Sequence, residues 1–335
     1  MRAYRFDRFG LENLKLQDVD PPRPGPGEVL IDVKAFSLNF RDLMVVKGLY
    51  SPKLKLPAVP ISDGAGVVSA ISAGVERVKV GDRVVSHFVS GWLDGPFKAE
   101  YAATTLGLPK AGLATEQVVL PAEAVLPLPV GYDFAQAATL PIAALTAWSA
   151  LVTEGQVQSG QTVLTLGTGG VAIFALQLAK ALGARVIITS SSDEKLERAR
   201  QLGADHAINY RVHPDWEKRV LELTDQIGVD ITVETGGAGT LNQSMKATRA
   251  GGIIGMLGAL TGLRAEVDLA LVLMKRLRIA GILVDSRAAF EAMNRFIEDH
   301  AIRPVIDRVY PFEQLPDAFR LMEARGHFGK IVVER

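Results

Sequence analysis

The sequence predicts an α/β protein in which a β-rich first domain precedes a doubly wound parallel sheet. Three observations carry this. The 335 residues are a little more than twice a domain of about 150 residues. The first third is made of short β-type runs punctuated by glycine and proline. From Asp133 onward apolar strands alternate with amphipathic helices, the pattern of a parallel sheet covered on both faces.

Taken in order, a strand over residues 27–33 leaves the PPRPGPGE loop, a second covers 65–71, and a third covers 83–88 after the Gly81-Asp82 turn. Residues 91–115 form one long region without a clear element. A largely apolar helix follows over 134–151 despite Pro141. Strands are expected at 162–166, 185–189, 206–209, 230–234, 252–257 and 279–284, with helices in the gaps. The helix over 193–202 stops at Gly203, as a C-terminal glycine requires. After Ala288 come a helix, a strand near 305–309, a helix over 315–324 and a last strand over 330–334, a tail expected to return to the first domain. Residues 155–179 carry no charge and are long enough to span a membrane. However, Gln156, Gln158, Ser159, Gln161 and a glycine cluster make a buried strand turning into a buried helix the better reading.

Composition narrows the function. A hydrophobic share of 48% with 22% charged residues suits a folded domain. Lys plus Arg equals Asp plus Glu at 37 each, and no basic block stands out, so neither nucleic acid nor a membrane surface is an expected partner. The cysteine count is zero, which removes disulfides, cysteine nucleophiles and every thiolate metal site. The histidines, His87, His206, His213, His300 and His327, are too far apart for a helical HxxxH pair, and no metal is expected. The N-terminus lacks the apolar stretch and small-residue cleavage site of a signal peptide, which leaves the cytoplasm as the expected location.

The strongest motif is the strand at 162–166 running into Gly167-Thr168-Gly169-Gly170-Val171-Ala172 and directly into a helix. This GxGxxA turn lets backbone N–H groups and the helix dipole face a pyrophosphate. Gly167 makes the turn, Gly169 admits the phosphate, and Ala172 lets helix pack on strand. The alternative is a tight turn with no ligand, which the surrounding βα units disfavour. An NAD-selective fold ends its second strand in a carboxylate. Here that strand ends in Thr189-Ser190-Ser191-Ser192, whose hydroxyls leave room for a 2′-phosphate that Lys195 can neutralise, with Tyr210 and Arg211 toward the adenine. NADP(H) is therefore the expected cofactor. A structural alternative makes Ser191 and Glu194 a capping box and Lys195 a solvated charge.

Several motifs together make the sequence resemble the zinc-independent quinone oxidoreductase branch of the medium-chain dehydrogenase/reductase superfamily over essentially its whole length. They are Pro-Gly-Glu-Val-Leu-Ile-Asp-Val near Gly27, Ser37-Leu-Asn39-Phe-Arg-Asp42, Val80-Gly81-Asp82-Arg83-Val84, Leu140-Pro141-Ile-Ala-Ala-Leu145-Thr146-Ala147, the glycine turn, and Gly329-Lys330-Ile331. The resemblance implies a GroES-like catalytic domain over 1–122, a Rossmann domain over 123–295 with a cofactor cleft between the two, and a return to the catalytic domain over 296–335. It also implies a homodimer formed by edge pairing near 279–284.

Zinc enzymes of the superfamily hold their metal with a cysteine near the motif at Ser37 and a His-Glu pair where this chain reads Ser62-Asp63. The cysteine, the histidine and the four-cysteine structural lobe are all missing, the last replaced by 91–115. Without a metal the acceptor oxygen needs hydrogen bonds, and the resemblance points to Tyr50, Asn39 and Asp42. A phenol can donate to a developing enolate without being charged. The structural alternatives are a loop aromatic for Tyr50 and a turn or helix cap for Asn39 and Asp42, the commoner use for an aspartate. By the same resemblance Thr146 meets the nicotinamide end, with a core threonine bonded back to its own helix as the alternative, and Phe328 and Lys330 touch the cofactor from the last strand. The expected activity is NADP(H)-dependent hydride transfer to a quinone or conjugated carbonyl. An enoyl-thioester reductase, a zinc-free alcohol dehydrogenase-like enzyme and a non-catalytic NADPH-binding redox sensor remain as alternatives.

Overall fold

A computed structural model describes residues 1–50 and 53–335. The first stretch holds β1 (Arg2–Arg5), β2 (Lys15–Asp18), β3 (Glu28–Ser37), helix α1 (Phe40–Val46), β4 (Asp63–Ile71), β5 (Arg83–Ser86), β6 (Gln117–Pro121) and β7 (Val125–Pro127), and ends in the helix α2 (Phe134–Thr153). Alternation follows: β8 (Thr162–Leu166), α3 (Gly170–Ala181), β9 (Arg185–Ser190), α4 (Asp193–Gln201), β10 (His206–Asn209), α5 (Trp216–Leu223), β11 (Val229–Glu234), α6 (Leu241–Ala247), β12 (Thr248–Met256), α7 (Leu269–Lys275) and β13 (Arg278–Gly281). The tail contributes α8 (Arg287–Asp299), β14 (Ile306–Pro311), α9 (Leu315–Glu323) and β15 (Lys330–Glu334). The chain divides into two compact units, Met1–Leu145 with Val284–Arg335, and Thr146–Leu283.

In the first unit the main sheet runs β14-β15-β3-β4-β5-β7, with β6 also on β3. β3 alternates as a half-buried strand should, turning Val29, Ile31, Val33 and Ala35 into the core. The expected return of the tail takes the form of β15 pairing antiparallel with β3, Val332 opposite Ser37. Residues 91–115, without an expected element, contain a short 3-10 turn at Ala99–Thr104. An aromatic cluster of Trp92, Phe97 and Tyr101 holds this region, with ring centroids 5.1 to 6.4 Å apart.

The second unit is an all-parallel six-stranded sheet, β10-β9-β8-β11-β12-β13. Its central strand β8 is buried along its whole length, which explains why it reads as a continuous apolar run rather than an alternating one. Leu164, Leu166, Ile187, Ile208, Trp216 and Val220 form one core cluster. β12 starts four residues ahead of its expected position. Its opening Thr-Arg-Ala-Gly-Gly pairs across an irregularity between Val229 and Ile231, and Gly251 there has φ +72°.

α2 is apolar and long enough to cross a membrane by composition, yet 83% of it is buried inside the fold, as a core helix is. Pro141 brings no N–H to the helix ladder. It lies in the first turn of a wide π segment, Leu140–Ala144, which an α turn separates from a second π segment at Ser149–Thr153.

Close backbone approach makes one glycine indispensable. A Cβ on Gly66 in β4 would lie 2.1 Å from the Asp32 carbonyl oxygen and 2.9 Å from the Ile31 side chain of β3. Gly66→Ala is expected to cost about 1–3 kcal/mol through forced strand separation, read as a lower urea midpoint. An unchanged midpoint would mean that β3 and β4 yield there without cost.

Candidate active site

The order β15-β3-β4 places three strand ends side by side. Asn39 follows β3 directly, Asp63 opens β4 opposite Ser37, and Lys330 opens β15. The Lys330 ammonium donates to the Leu38 carbonyl and to Asn39 Oδ1, each at 2.8 Å, and lies 3.9 Å from Asp63 Oδ2. Asn39 Nδ2 donates to Asp63 Oδ2 at 2.8 Å, and the Ile142 N–H reaches the same oxygen at 3.3 Å. Asp63 and Lys330 are both buried. Burial pushes Asp63 up to about 7, opposed by the Lys330 charge, and pulls Lys330 down, opposed by Asp63 and Asp42.

A second carboxylate extends the cluster through α1. Asp42 Oδ2 accepts the Asn39 backbone N–H at 2.8 Å, capping the helix, and Asp42 Oδ1 accepts from Ser62 Oγ at 2.6 Å. Asp42 is wholly buried and fully engaged in structural bonds. Desolvation raises its pKa against the pull of Arg41. Ile61, buried with φ +79°, turns the chain so that Ser62 and Asp63 both point inward. A left-handed β-branched residue is a costly conformation.

Arg41 was not among the residues singled out in the sequence. Its Nη1 donates to Ser62 Oγ and to the Leu106 carbonyl at 3.1 Å, its Nη2 reaches the Leu108 carbonyl at 3.3 Å, and Asp42 Oδ1 lies 3.8 Å away. The guanidinium is sandwiched between two rings, 4.7 Å from the Tyr50 centroid and 4.8 Å from that of Phe88. Phe88 is buried, whereas Tyr50 is 46% exposed. The six polar side chains of the cluster, Asn39, Arg41, Asp42, Ser62, Asp63 and Lys330, thus bond largely to one another, while Tyr50 stands at its edge.

In the second unit the sheet order reverses between β8 and β11, so the C-terminal ends of these strands diverge into the crevice where α/β folds bind ligands. Gly167 takes φ +78°, Gly169 precedes the first turn of α3 as an uncapped residue, and a Cβ on Gly169 would meet nothing within 4 Å. Thr168 is buried, Gly170 and Val171 open the helix, and Ala172 packs in the core. The Gly167 N–H donates to Thr189 Oγ1 at 3.3 Å, and the Tyr210 N–H donates to the Ser190 carbonyl at 3.0 Å. These bonds bring the expected cofactor residues of β8, β9 and β10 together. Ser190 is buried and Tyr210 is 41% exposed. The capping box expected from Ser191 and Glu194 does not form. The cap is Ser192, whose hydroxyl accepts the Lys195 N–H at 3.3 Å, because α4 begins at Asp193.

Two residues absent from the sequence reading shape the other lip. Thr235 Oγ1 donates to the Leu166 carbonyl at 2.8 Å, tying the end of β11 to β8. The wholly buried Glu234 carboxylate accepts the Gly236 and Gly237 N–H groups, at 2.7 and 3.0 Å, and the hydroxyls of Thr240 and Ser244. A carboxylate ending a buried strand was the only sequence signal for this anchor. Thr146, on α2 between the π turns, is buried with an Oγ1 that finds no protein partner, so it does not bond back to its own helix. Phe328 is part of the first unit's core, and Lys330 keeps one N–H uncommitted. His87, pushed down to about 4 by burial, is neutral at pH 7.

Removing the Lys330 cation is expected to strand the Asp63 carboxylate. Lys330→Met should cost about 3–5 kcal/mol at pH 8, as breaking a buried pair does. A carboxyl whose folded-state pKa lies above its unfolded value stabilises the fold at low pH, and that contribution fades as pH rises through 7. The Lys330→Met penalty should therefore be smaller at pH 5, where Asp63 holds its proton. Chemical denaturation at both pH values reads it, and a larger penalty at pH 5 would contradict the assignment.

Comparison with known proteins agrees with this architecture. Residues 25–130 match the alcohol dehydrogenase GroES-like domain and residues 170–299 the zinc-binding dehydrogenase domain. A zinc-type alcohol dehydrogenase-like protein of Schizosaccharomyces pombe is 42% identical over 97% of this chain and 96% of its own length. A quinone oxidoreductase of Pongo abelii is 31% identical over 99% and 97%. Among solved structures, an NAD-dependent alcohol dehydrogenase superposes with TM-score 0.92 at 39% identity, covering 100% of both chains. The Escherichia coli quinone oxidoreductase complexed with NADPH gives 0.87 at 25%, again covering 100% of both. The two matched domains and these full-length similarities place the chain in the medium-chain dehydrogenase/reductase superfamily, as an oxidoreductase with a quinone oxidoreductase-like branch as its setting.

Proposed function

We propose that the protein uses NADPH to reduce a quinone or conjugated carbonyl without a metal. The observation that carries the reading is the open glycine turn at the head of α3. The first-turn N–H groups have no side-chain cap, and nothing fills the space beside Gly169. That is what a pyrophosphate needs. Gly167, Thr168, Gly169, Gly170 and Val171 would hold it, and the unpartnered Thr146 hydroxyl is available to the nicotinamide end. Ser190 ends β9 without a carboxylate, which favours a 2′-phosphate beside Ser191, Lys195 and Tyr210.

When bound, the cofactor supplies a hydride, and the acceptor takes up that hydride and a proton to give the hydroquinone or the saturated carbonyl. The chain's own task is to stabilise the negative charge that grows on the acceptor oxygen, for which a positioned donor such as the Tyr50 hydroxyl is suited. Among the described residues that hydroxyl has no hydrogen-bond partner. Asn39 has one Nδ2 proton left after Asp63 and Lys330 are served. Zinc fits these residues poorly. Cysteine is absent, Ser62 is held between Asp42 and Arg41, and Asn39 and Asp63 already surround an ammonium.

A screen of quinones, enals and enoyl thioesters for NADPH oxidation tests the reading. Tyr50→Phe should lower turnover about ten- to a thousandfold with NADPH affinity unchanged. Lys195→Ala should weaken NADPH about ten- to a hundredfold and leave NADH nearly unaltered. Equal affinity of the unmodified protein for both cofactors would reject the NADP(H) assignment.

We also infer a homodimer. The edge strand β13 has no partner on its outer side among the described residues, and nearby Leu269, Leu273 and Met274 of α7 are 68%, 73% and 84% exposed. That much apolar surface calls for a cover. Met274→Glu should shift the sedimentation coefficient from dimer toward monomer.

A further inference from the structure

Tyr50 sits at the surface, 46% exposed, yet a surface phenol gives catalysis only if its ring is held. Its backbone N–H reaches the Met44 carbonyl at 3.3 Å, which fixes the main chain and not the side chain. The contact that fixes the ring is the guanidinium 4.7 Å beneath it. That guanidinium cannot swing away. Its inner face lies on the buried Phe88 ring at 4.8 Å, and its Nη1 and Nη2 groups donate to Ser62 and to the Leu106 and Leu108 carbonyls. Gly107, between those two carbonyls, takes φ +65°, and a Cβ there would lie 2.6 Å from Ser62 Oγ. The seat of Arg41 is therefore built tightly. A cation over an aromatic face is attracted by the ring quadrupole, and here the attraction acts on a ring whose hydroxyl has no partner among the described residues.

We propose that Arg41 is a positioning residue: locked against Phe88, Ser62 and the 106–108 carbonyls, it holds the Tyr50 ring so that the phenol is presented to the acceptor oxygen. This rests on the role given above to Tyr50. It touches neither cofactor nor acceptor and adds no chemical step. Its effect must pass through the tyrosine hydroxyl, so it should disappear when that hydroxyl is absent.

A double-mutant cycle measures this. Arg41→Gln keeps amide donors for the carbonyls but removes the cation, and should lower kcat about three- to thirtyfold, the span of a cation–π contact, with NADPH Kd changed less than about twofold. Arg41→Lys, which keeps a cation, should recover part of the loss. In a Tyr50→Phe background Arg41→Gln should change kcat less than about twofold. Equal losses in both backgrounds would overturn the proposal, since Arg41 would then act independently of the phenol. So would full activity in Arg41→Gln. If Arg41→Gln proves unfolded by circular dichroism, the cycle is run with Arg41→Lys and the same criteria. The stack is also read without turnover, as an upfield ring-current shift of the Arg41 Cδ protons that Tyr50→Leu reduces to the share contributed by the Phe88 ring, and a shift that Tyr50→Leu leaves unchanged overturns the proposal by itself. Should the unmodified protein reduce no acceptor at all, the functional reading of Tyr50 fails, a result distinct from additive losses in an active enzyme.

Discussion

The first unit depends on an internally neutralised charge cluster. Asp42 and Asp63 bring two carboxylates into the interior, and Arg41 and Lys330 bring two cations. Any one of these left alone would be prohibitive to bury, and as a group they are tolerable because opposite charges and most hydrogen bonds are paired within the cluster, with Asp63 Oδ1 and Arg41 Nε left without partners among the described residues. Asn39 is the connector. Its backbone N–H serves Asp42, its side-chain nitrogen serves Asp63, and its carbonyl oxygen accepts from Lys330. This ties α1 to three strand ends, so the position of Arg41, and through it Tyr50, is set by the registers of β15, β3 and β4 rather than by a loop.

The second unit solves a different problem, holding two loops apart at a sheet crevice without filling it. Glu234 absorbs the N–H groups of the loop after β11, and Thr235 spans to the end of β8. Both satisfy backbone groups that a ligand loop would otherwise leave bare. The glycine turn on β8 stays uncapped. The loop after β11 is thus tied down by side chains, while the head of α3 has no side-chain cap.

What was legible in the sequence follows from the range of the forces involved. The strands at 162–166, 206–209 and 330–334 coincide with their expected spans, because a buried strand and a positive-φ glycine leave local marks. The glycine turn is local too. The charge cluster is not. Asn39 meets Asp63 across 24 positions and Lys330 across 291, and nothing in the neighbourhood of Lys330 marks its side chain as buried. Arg41 escaped notice for the opposite reason: an arginine beside a helix cap reads as a solvated charge until Phe88 and the 106–108 carbonyls close around it. The first π turn of α2 follows from Pro141 in kind but not in position, since either a kink or a wide turn can absorb a missing donor.

Sorting polar atoms by whether they are spent separates scaffold from chemistry more sharply than motif matching does. Asp42 and Ser62 have their bonds filled, and Asn39 nearly so, so each has a structural task whatever else it does. Among the described residues, Thr146 Oγ1, Asp63 Oδ1, Arg41 Nε and Ser37 Oγ are buried without a hydrogen-bond partner, and the first N–H groups of α3 have no side-chain cap. A buried unpaired hydroxyl costs about 1–3 kcal/mol. Thr146 Oγ1 carries that cost, as Ser37 Oγ does, and on the proposed reading a bound cofactor would offset it at Thr146. On the proposed reading the acceptor end falls to a phenol at the edge of the cluster because the interior carboxylates and cations are largely committed to one another. A group that donates without being charged, whose ring lies on Arg41 and whose hydroxyl has no partner among the described residues, is suited to meet a growing negative charge.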